Sequence, residues 1–135
     1  MPAEGLEVTD PPKMIEEIRK PTLLPLGAEE EIVINSKTMY ACDFYIGDNC
    51  VVSFKQLLLS SDSYMIDGEG ATMTEVTLAQ GKAYLLTHNE NYIMLVWNDT
   101  EYSYFISSEF LELDELIVIA ETVIYKYQAL FGGLL

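Results

Sequence analysis

The sequence predicts an α+β domain: a single curved antiparallel sheet of six or seven strands in meander order, with a short N-terminal helix and a long C-terminal helix packed on the sheet. Three observations predict it. Apolar runs rich in Val, Ile, Tyr and Phe follow one another from about residue 30 to 107, as strands do. The connections between most of them are short turn signals, too short for the crossovers that parallel pairs need. After the last strand the apolar spacing changes from alternation to the i, i+3, i+4 pattern of a helix.

Taken in order, residues 1–10 are polar and irregular, a loose lead-in to a single domain over 11–130. Asp10 is placed to cap a short helix that opens on Pro11 and Pro12, positions where proline is tolerated. Met14, Ile15 and Ile18 would form its apolar side, and Pro21 would end it. The run from Pro21 to Pro25 is a rigid extended connector. Strands are expected at about 30–35, 38–46, 50–59, 72–79, 82–88, 91–98 and 101–107. Turns are expected at Asn35–Lys37, Gly47–Asn49, Gln80–Gly81, His88–Glu90 and Asn98–Glu101. The one long link, 60–71, is rich in Ser, Asp and Gly and is expected to be the most mobile loop. The final helix, about 112–130, carries Leu113, Leu116, Ile117, Ala120, Val123, Ile124 and Tyr127 as a core-facing stripe. The last five residues, 131–135, form an apolar tail.

The hairpin around Gly47 also bears on the two cysteines. Pairing Ile46 with Cys50, Phe44 with Val52, Cys42 with Phe54 and Tyr40 with Gln56 puts the apolar residues on one face. Cys42 and Cys50 then stand about 13 Å apart along the ladder, too far for a disulfide, which predicts two buried free thiols; only a much wider turn would allow a bridge.

Composition narrows the function. The chain has 135 residues, half of them apolar, enough for a real core. Its 22 acidic and 7 basic residues leave a net charge of −15, which repels phosphate backbones and anionic lipid surfaces. Nucleic acid is therefore not expected as a partner. No apolar run reaches the roughly 18 residues that span a bilayer, and the start lacks a signal-peptide pattern. The chain reads either as a cytoplasmic protein or as a soluble piece of a longer one.

Reactive chemistry is sparse. His88 is the single histidine, which excludes a multi-histidine metal site within one chain, and its place beside a turn reads as a solvated residue. Asp67-Gly68-Glu69-Gly70 lacks the lysine and helix start of a phosphate loop and the acidic spacing of a calcium loop. The carboxylate pairs, among them Glu29-Glu30-Glu31 and Asp114-Glu115, read as solvated charge. Catalysis by such pairs requires two acids facing each other across a cleft. Asn98-Asp99-Thr100 fits both a glycosylation acceptor and an ordinary hairpin turn, and the turn is the simpler reading. No catalytic residue, metal or cofactor is expected. Tyr92, Trp97, Tyr102 and Tyr104 are candidates for an apolar ligand or partner face, weighed against a plain core role for aromatics at alternate strand positions.

Several segments resemble, in order, those of a bacterial domain family. The hairpin Leu95-Val96-Trp97-Asn98-Asp99-Thr100-Glu101-Tyr102-Ser103-Tyr104-Phe105-Ile106 is similar to its Trp-to-Tyr hairpin. Leu113-Asp114-Glu115-Leu116-Ile117-Val118-Ile119-Ala120-Glu121 resembles its E-E-L-(I/L)-x-I-A-E-S helix, with Thr122 in place of the serine. Pro21-Thr22-Leu23-Leu24-Pro25-Leu26-Gly27 resembles its P-x-x-L-P-x-G-Y segment, with Ala28 where an aromatic is usual. Phe54-Lys55-Gln56 and Glu75-Val76 through Gly81-Lys82-Ala83 also fall in place, so the match covers about 20–126. The family is a domain of unknown function, common in Gram-positive bacteria and found beyond membrane segments in proteins of the anti-sigma-factor and lipoprotein types. The resemblance implies a non-catalytic, extracytoplasmic sensing or protein-interaction domain, tethered by an anchor outside this sequence and binding a protein or envelope component. By fold analogy with lipoprotein-carrier domains, the alternative is a lipid or apolar small molecule bound on the concave sheet face.

Overall fold

The computed structural model describes residues 14–59, 72–87 and 92–123. Seven strands and one helix occupy them: β1 (Glu29–Asn35), β2 (Met39–Ile46), β3 (Asn49–Leu58), β4 (Thr72–Leu78), β5 (Gly81–Thr87), β6 (Ile93–Asn98), β7 (Tyr102–Ser108) and α1 (Leu113–Ala120). All neighbouring strands are antiparallel, and the sheet is open, with order β1-β2-β3-β7-β6-β5-β4. The domain is mostly β. The expected strands are present within a residue or two, but the simple meander is not. Two meanders, β1–β3 and β4–β7, meet where β3 pairs with β7. Each hairpin follows from its own turn. The β3–β7 seam is set by two long-separated strands, and no local signal announces it.

The β2–β3 hairpin keeps the expected pairs Phe44–Val52, Cys42–Phe54 and Tyr40–Gln56. Its tip differs by one residue. Ile46 faces Asn49, and the register shifts beside Tyr45, which pairs with Cys50. Gly47 takes φ 63°, the conformation a tight two-residue turn asks of its first central residue. Both cysteines are free, Cys42 buried and Cys50 half-buried.

Both expected helices need correction. Residues 14–20 form no helix. Their backbone groups bond to the sheet instead: the Ile15 N–H to the Lys37 carbonyl, and the Arg19 N–H to Gln56 Oε1. Tertiary hydrogen bonds have replaced the helical ladder, and the segment lies extended across the sheet. The C-terminal helix stops at Ala120 because its last carbonyls find other partners. Ile119 O accepts from the Thr122 hydroxyl at 2.6 Å, and Ala120 O from Gln80 Nε2 at 2.8 Å. Short i to i+3 bonds from the Thr122 and Val123 N–H groups tighten the final turn. At the other end, Glu115 Oε1 accepts from the Glu112 N–H at 2.9 Å, half of a capping box. The expectations for His88, the 60–71 link, Ile124, Tyr127 and the tail lie outside the described residues.

The register divides the sheet into two faces. Tyr40, Cys42 and Phe44 of β2, Phe54 of β3, Tyr102, Tyr104 and Ile106 of β7, and Leu95 and Trp97 of β6 point to the helix side. With Leu116, Ile119, Ala120 and Val123 they form the core. Ile15, Leu24 and Ala28 of the N-terminal segment pack against its margin.

Candidate functional site

On the helix side the polar groups are gathered by one buried cation. Arg19, 5 % exposed, donates from Nη1 to Asp99 Oδ2 (2.9 Å) and to the Tyr104 hydroxyl (3.0 Å), and from Nη2 to Glu101 Oε1 (2.9 Å). Its guanidinium lies 4.8 Å from the Tyr102 ring centre. Gln56, fully buried, accepts from the Arg19 N–H and donates to the Glu17 carbonyl, both at 2.9 Å, so it grips the crossing segment from both sides. Asp99 is the pivot of this clamp. Its Oδ1 accepts from the N–H groups of Glu101 and Tyr102, building the β6–β7 turn, while Oδ2 takes Arg19 and the Tyr104 hydroxyl (2.7 Å). The turn reading of Asn98-Asp99-Thr100 therefore holds. Burial first, then the bond to Asp99, pushes the Tyr104 phenol well above its ordinary range. The Asp99 and Glu101 carboxylates that converge here come from one turn, and a guanidinium holds both.

Trp97 and Tyr104 stack with ring centres 5.4 Å apart, and with Leu116 they fill the space between sheet and helix. Three of the four candidate aromatics, Trp97, Tyr102 and Tyr104, are thus in the core around the clamp. Tyr92 is not with them. It belongs to the opposite face and lines an open groove there.

That groove has a volume of about 380 Å³ and is walled by Val33 and Ile34 of β1, Ala41 and Asp43 of β2, Lys55 of β3, and Tyr92, Met94 and Phe105 from the β6–β7 side. Ser53, Tyr92 and Ser107 also line an adjoining hollow of about 240 Å³ that runs towards Cys50 and Phe110. The floor is apolar, while charge enters at the margins. Lys55 lies over the Phe105 ring, Nζ 5.8 Å from its centre. Glu31 stands directly opposite Asp43 in the β1–β2 register, a like-charge pair that opposes sheet stability. Burial and then the Asp43 carboxylate push the Tyr45 phenol up, with Glu31 adding to the effect.

Over residues 18–123 the chain matches the family described as Domain of unknown function (DUF4367). The chain belongs to this family. No curated protein and no solved structure matches it. The DUF4367 match opens beside Arg19 and closes at Val123, so it takes in the clamp, the whole sheet and α1. Its proline-rich start has a local explanation. Pro25 O accepts from the Ala28 N–H at 3.1 Å with Gly27 at φ 87°, the geometry of a type II turn, which needs glycine at its third position. Thr122 accepts from the Thr22 and Leu23 N–H groups at 3.0 and 3.3 Å, tying that turn to the helix end. A serine hydroxyl would do the same.

The groove residues of β1 and β2 were not singled out by sequence reasoning, although a signal existed. Ile32-Val33-Ile34 are three consecutive apolar residues in a strand, and alternation cannot bury them all on one side. The structure adds a bulge between Ile32 and Ile34, so that Val33 and Ile34 both reach the groove.

Proposed function

We propose that this DUF4367 domain is a non-catalytic protein-interaction or sensing module, extracytoplasmic and tethered to the membrane in a longer regulatory protein, and that it meets its partner on the face away from α1. The observation that carries the reading is the contrast in cover. One face is filled by the helix and the clamped N-terminal segment; the other presents an apolar groove bordered by an outer strand whose hydrophobic residues are open to solvent. Contiguous exposed apolar surface of this kind marks interaction sites. No described helix is long and apolar enough to cross a membrane. Regulatory context and location rest on the family resemblance set out above.

A second reading, a bound lipid or other apolar small molecule, draws on the groove's volume, which falls in the range of ligand pockets. The groove is a different place from the helix side, where Trp97, Tyr104 and Leu116 already occupy the space.

A photo-crosslinking residue at position 33, introduced in the producing cell, tests the reading against one at position 118, on the exposed side of α1. A discrete protein adduct at 33 and none at 118 is the expected result. Equal labelling at both positions, or none at 33, would overturn the placement. Native mass spectrometry showing a co-purified apolar molecule, lost when Phe105 is replaced by Glu, would favour the second reading.

A further inference from the structure

We propose that the partner is an extended polypeptide segment carrying basic residues, which adds to the sheet as a strand beside β1. The inference rests on the interaction reading above and names the chemistry of that partner. β1 is the outermost strand and pairs with β2 alone among the described strands, so one row of its backbone N–H and C=O groups faces outwards. Every residue of β1 is exposed, and Ile32, Val33 and Ile34 are 54 %, 55 % and 39 % open to solvent. Apolar edges left in this state are where an incoming strand gains both ladder bonds and side-chain cover.

Charge decides which strand. The three glutamates at the start of β1 are not equivalent. Glu30, on the helix side, accepts from Lys20 Nζ at 2.8 Å and from the Tyr40 hydroxyl at 2.9 Å. Glu29 and Glu31 fall on the groove side, opposite Tyr45 and Asp43, and no ion pair holds either among the described residues. Two neighbouring strands thus set carboxylates against each other at the groove's acidic end. A cation from outside relieves that repulsion, and a second copy of this chain, at −15, does not supply one. The same acids that keep copies of the domain apart at this edge select a basic visitor. Alternate residues of an added strand face one side. The fitting segment therefore places Lys or Arg at alternate positions beside Glu29 and Glu31, and Ile or Val at alternate positions beyond, over Val33 and Ile34.

The test uses the purified chain labelled with nitrogen-15 and a blocked heptapeptide of alternating Lys and Thr followed by alternating Ile and Thr. Two controls accompany it: the same peptide with Glu for Lys, and one with a central proline that breaks the ladder. The expected result is saturable binding of the basic peptide with shift changes concentrated in residues 29–35. The acidic and proline peptides should bind at least tenfold more weakly. Glu29→Gln with Glu31→Gln should reduce basic-peptide affinity about fivefold or more while thermal unfolding stays in place. Equal binding of basic and acidic peptides, no binding of either, or concentration-dependent dimers joined through β1 would each overturn the proposal. If a protein adduct still forms at position 33 in cells, the interaction reading survives and only the basic-strand chemistry fails. If no adduct forms, the reading itself has failed.

Discussion

Along β7, Tyr102, Tyr104 and Ile106 are buried on the helix side, while Phe105, one residue away, stays partly open on the other. β6 repeats the contrast only in part: Met94 is half-covered across from the buried Leu95 and Trp97, but Val96, on the same face as Met94, is 3 % exposed. The strands and their backbone bonds are the same for both faces, so the difference comes from what crosses them. On the helix side, α1 and the clamped segment 14–28 bring apolar cover, and Arg19 satisfies the polar tips that burial would otherwise strand. Near β1 on the other side, the apolar residues keep solvent contact. The helix side thus holds the main apolar cluster, while the other face is closed at Leu57, Leu86 and Val96 and open near β1, where a binding surface has room.

The sharpest way to break this comparison is to truncate the filled face. Trp97→Ala removes a buried ring stacked on Tyr104 and should cost about 3–5 kcal/mol in urea unfolding. A loss below about 1 kcal/mol would mean that the helix side is not where folding energy resides. Next in size is the clamp. Arg19→Met keeps the apolar stem but leaves the Tyr104 hydroxyl and Asp99 without their cation. Removing one member of a buried pair costs about 3–5 kcal/mol. Because the Asp99 and Glu101 carboxylates are partly exposed and screened, the expected loss is nearer about 2 kcal/mol. Hydrogen exchange should rise first at Ile15 and Arg19, whose N–H groups bond to the sheet.

Titration sharpens the comparison from both ends of the pH scale. Burial pushes the Cys42 thiol up to about 12, and burial with a carboxylate partner raises the Tyr40 and Tyr104 phenols. The unfolded chain releases these protons at lower pH than the folded one, so their contribution is whole below pH of about 9 and is lost as pH rises from there. Glu30 has the opposite sign. The hydrogen bond from Lys20, assisted by Tyr40, lowers its pKa despite partial burial. Its contribution is present above the ordinary carboxylate range and disappears as pH falls through it. Urea midpoints should therefore drop as pH rises from about 9 to 10.5, less steeply in Cys42→Ala, and drop again below about pH 4.5. A midpoint flat to pH 10.5 would contradict the burial of these groups.

How far the sequence carried this picture depends on range. Strands flanked by their own turns were legible, because Gly47, Gln80-Gly81 and Asn98-Asp99 mark them locally. The register of Cys42, Phe44 and Tyr40 followed from keeping apolar residues together. What failed was non-local. The apolar spacing of Met14, Ile15 and Ile18 suits a helix, but Gln56 and Tyr102, distant in sequence, offer the segment's backbone better partners. Likewise Gln80, on a turn between two strands, takes the carbonyl that a longer helix would have used. The four aromatics were legible as important but not as divided, since Tyr92 lies just outside β6 and its face depends on a register fixed by β7. The clamp itself had no local signature: Arg19 is one cation among polar residues until the fold brings Asp99 and Glu101 to it.

The smallest expected effect tests the open face. Val33→Thr keeps the β-branched shape and removes apolar surface that is already more than half in water. Surface substitutions of this kind change stability by about 0.5 kcal/mol or less. Phe105→Thr should cost more, about 1–2 kcal/mol, because its ring is partly covered and meets Lys55. The pair of values matters more than either alone. If Val33→Thr leaves the urea midpoint in place yet abolishes the adduct at a crosslinker placed at position 34, folding and partner contact are separable on this face. If it instead destabilises the domain as strongly as Trp97→Ala, the edge of the sheet is part of the folding core. The asymmetry between the two faces would then be one of exposure without being one of energy.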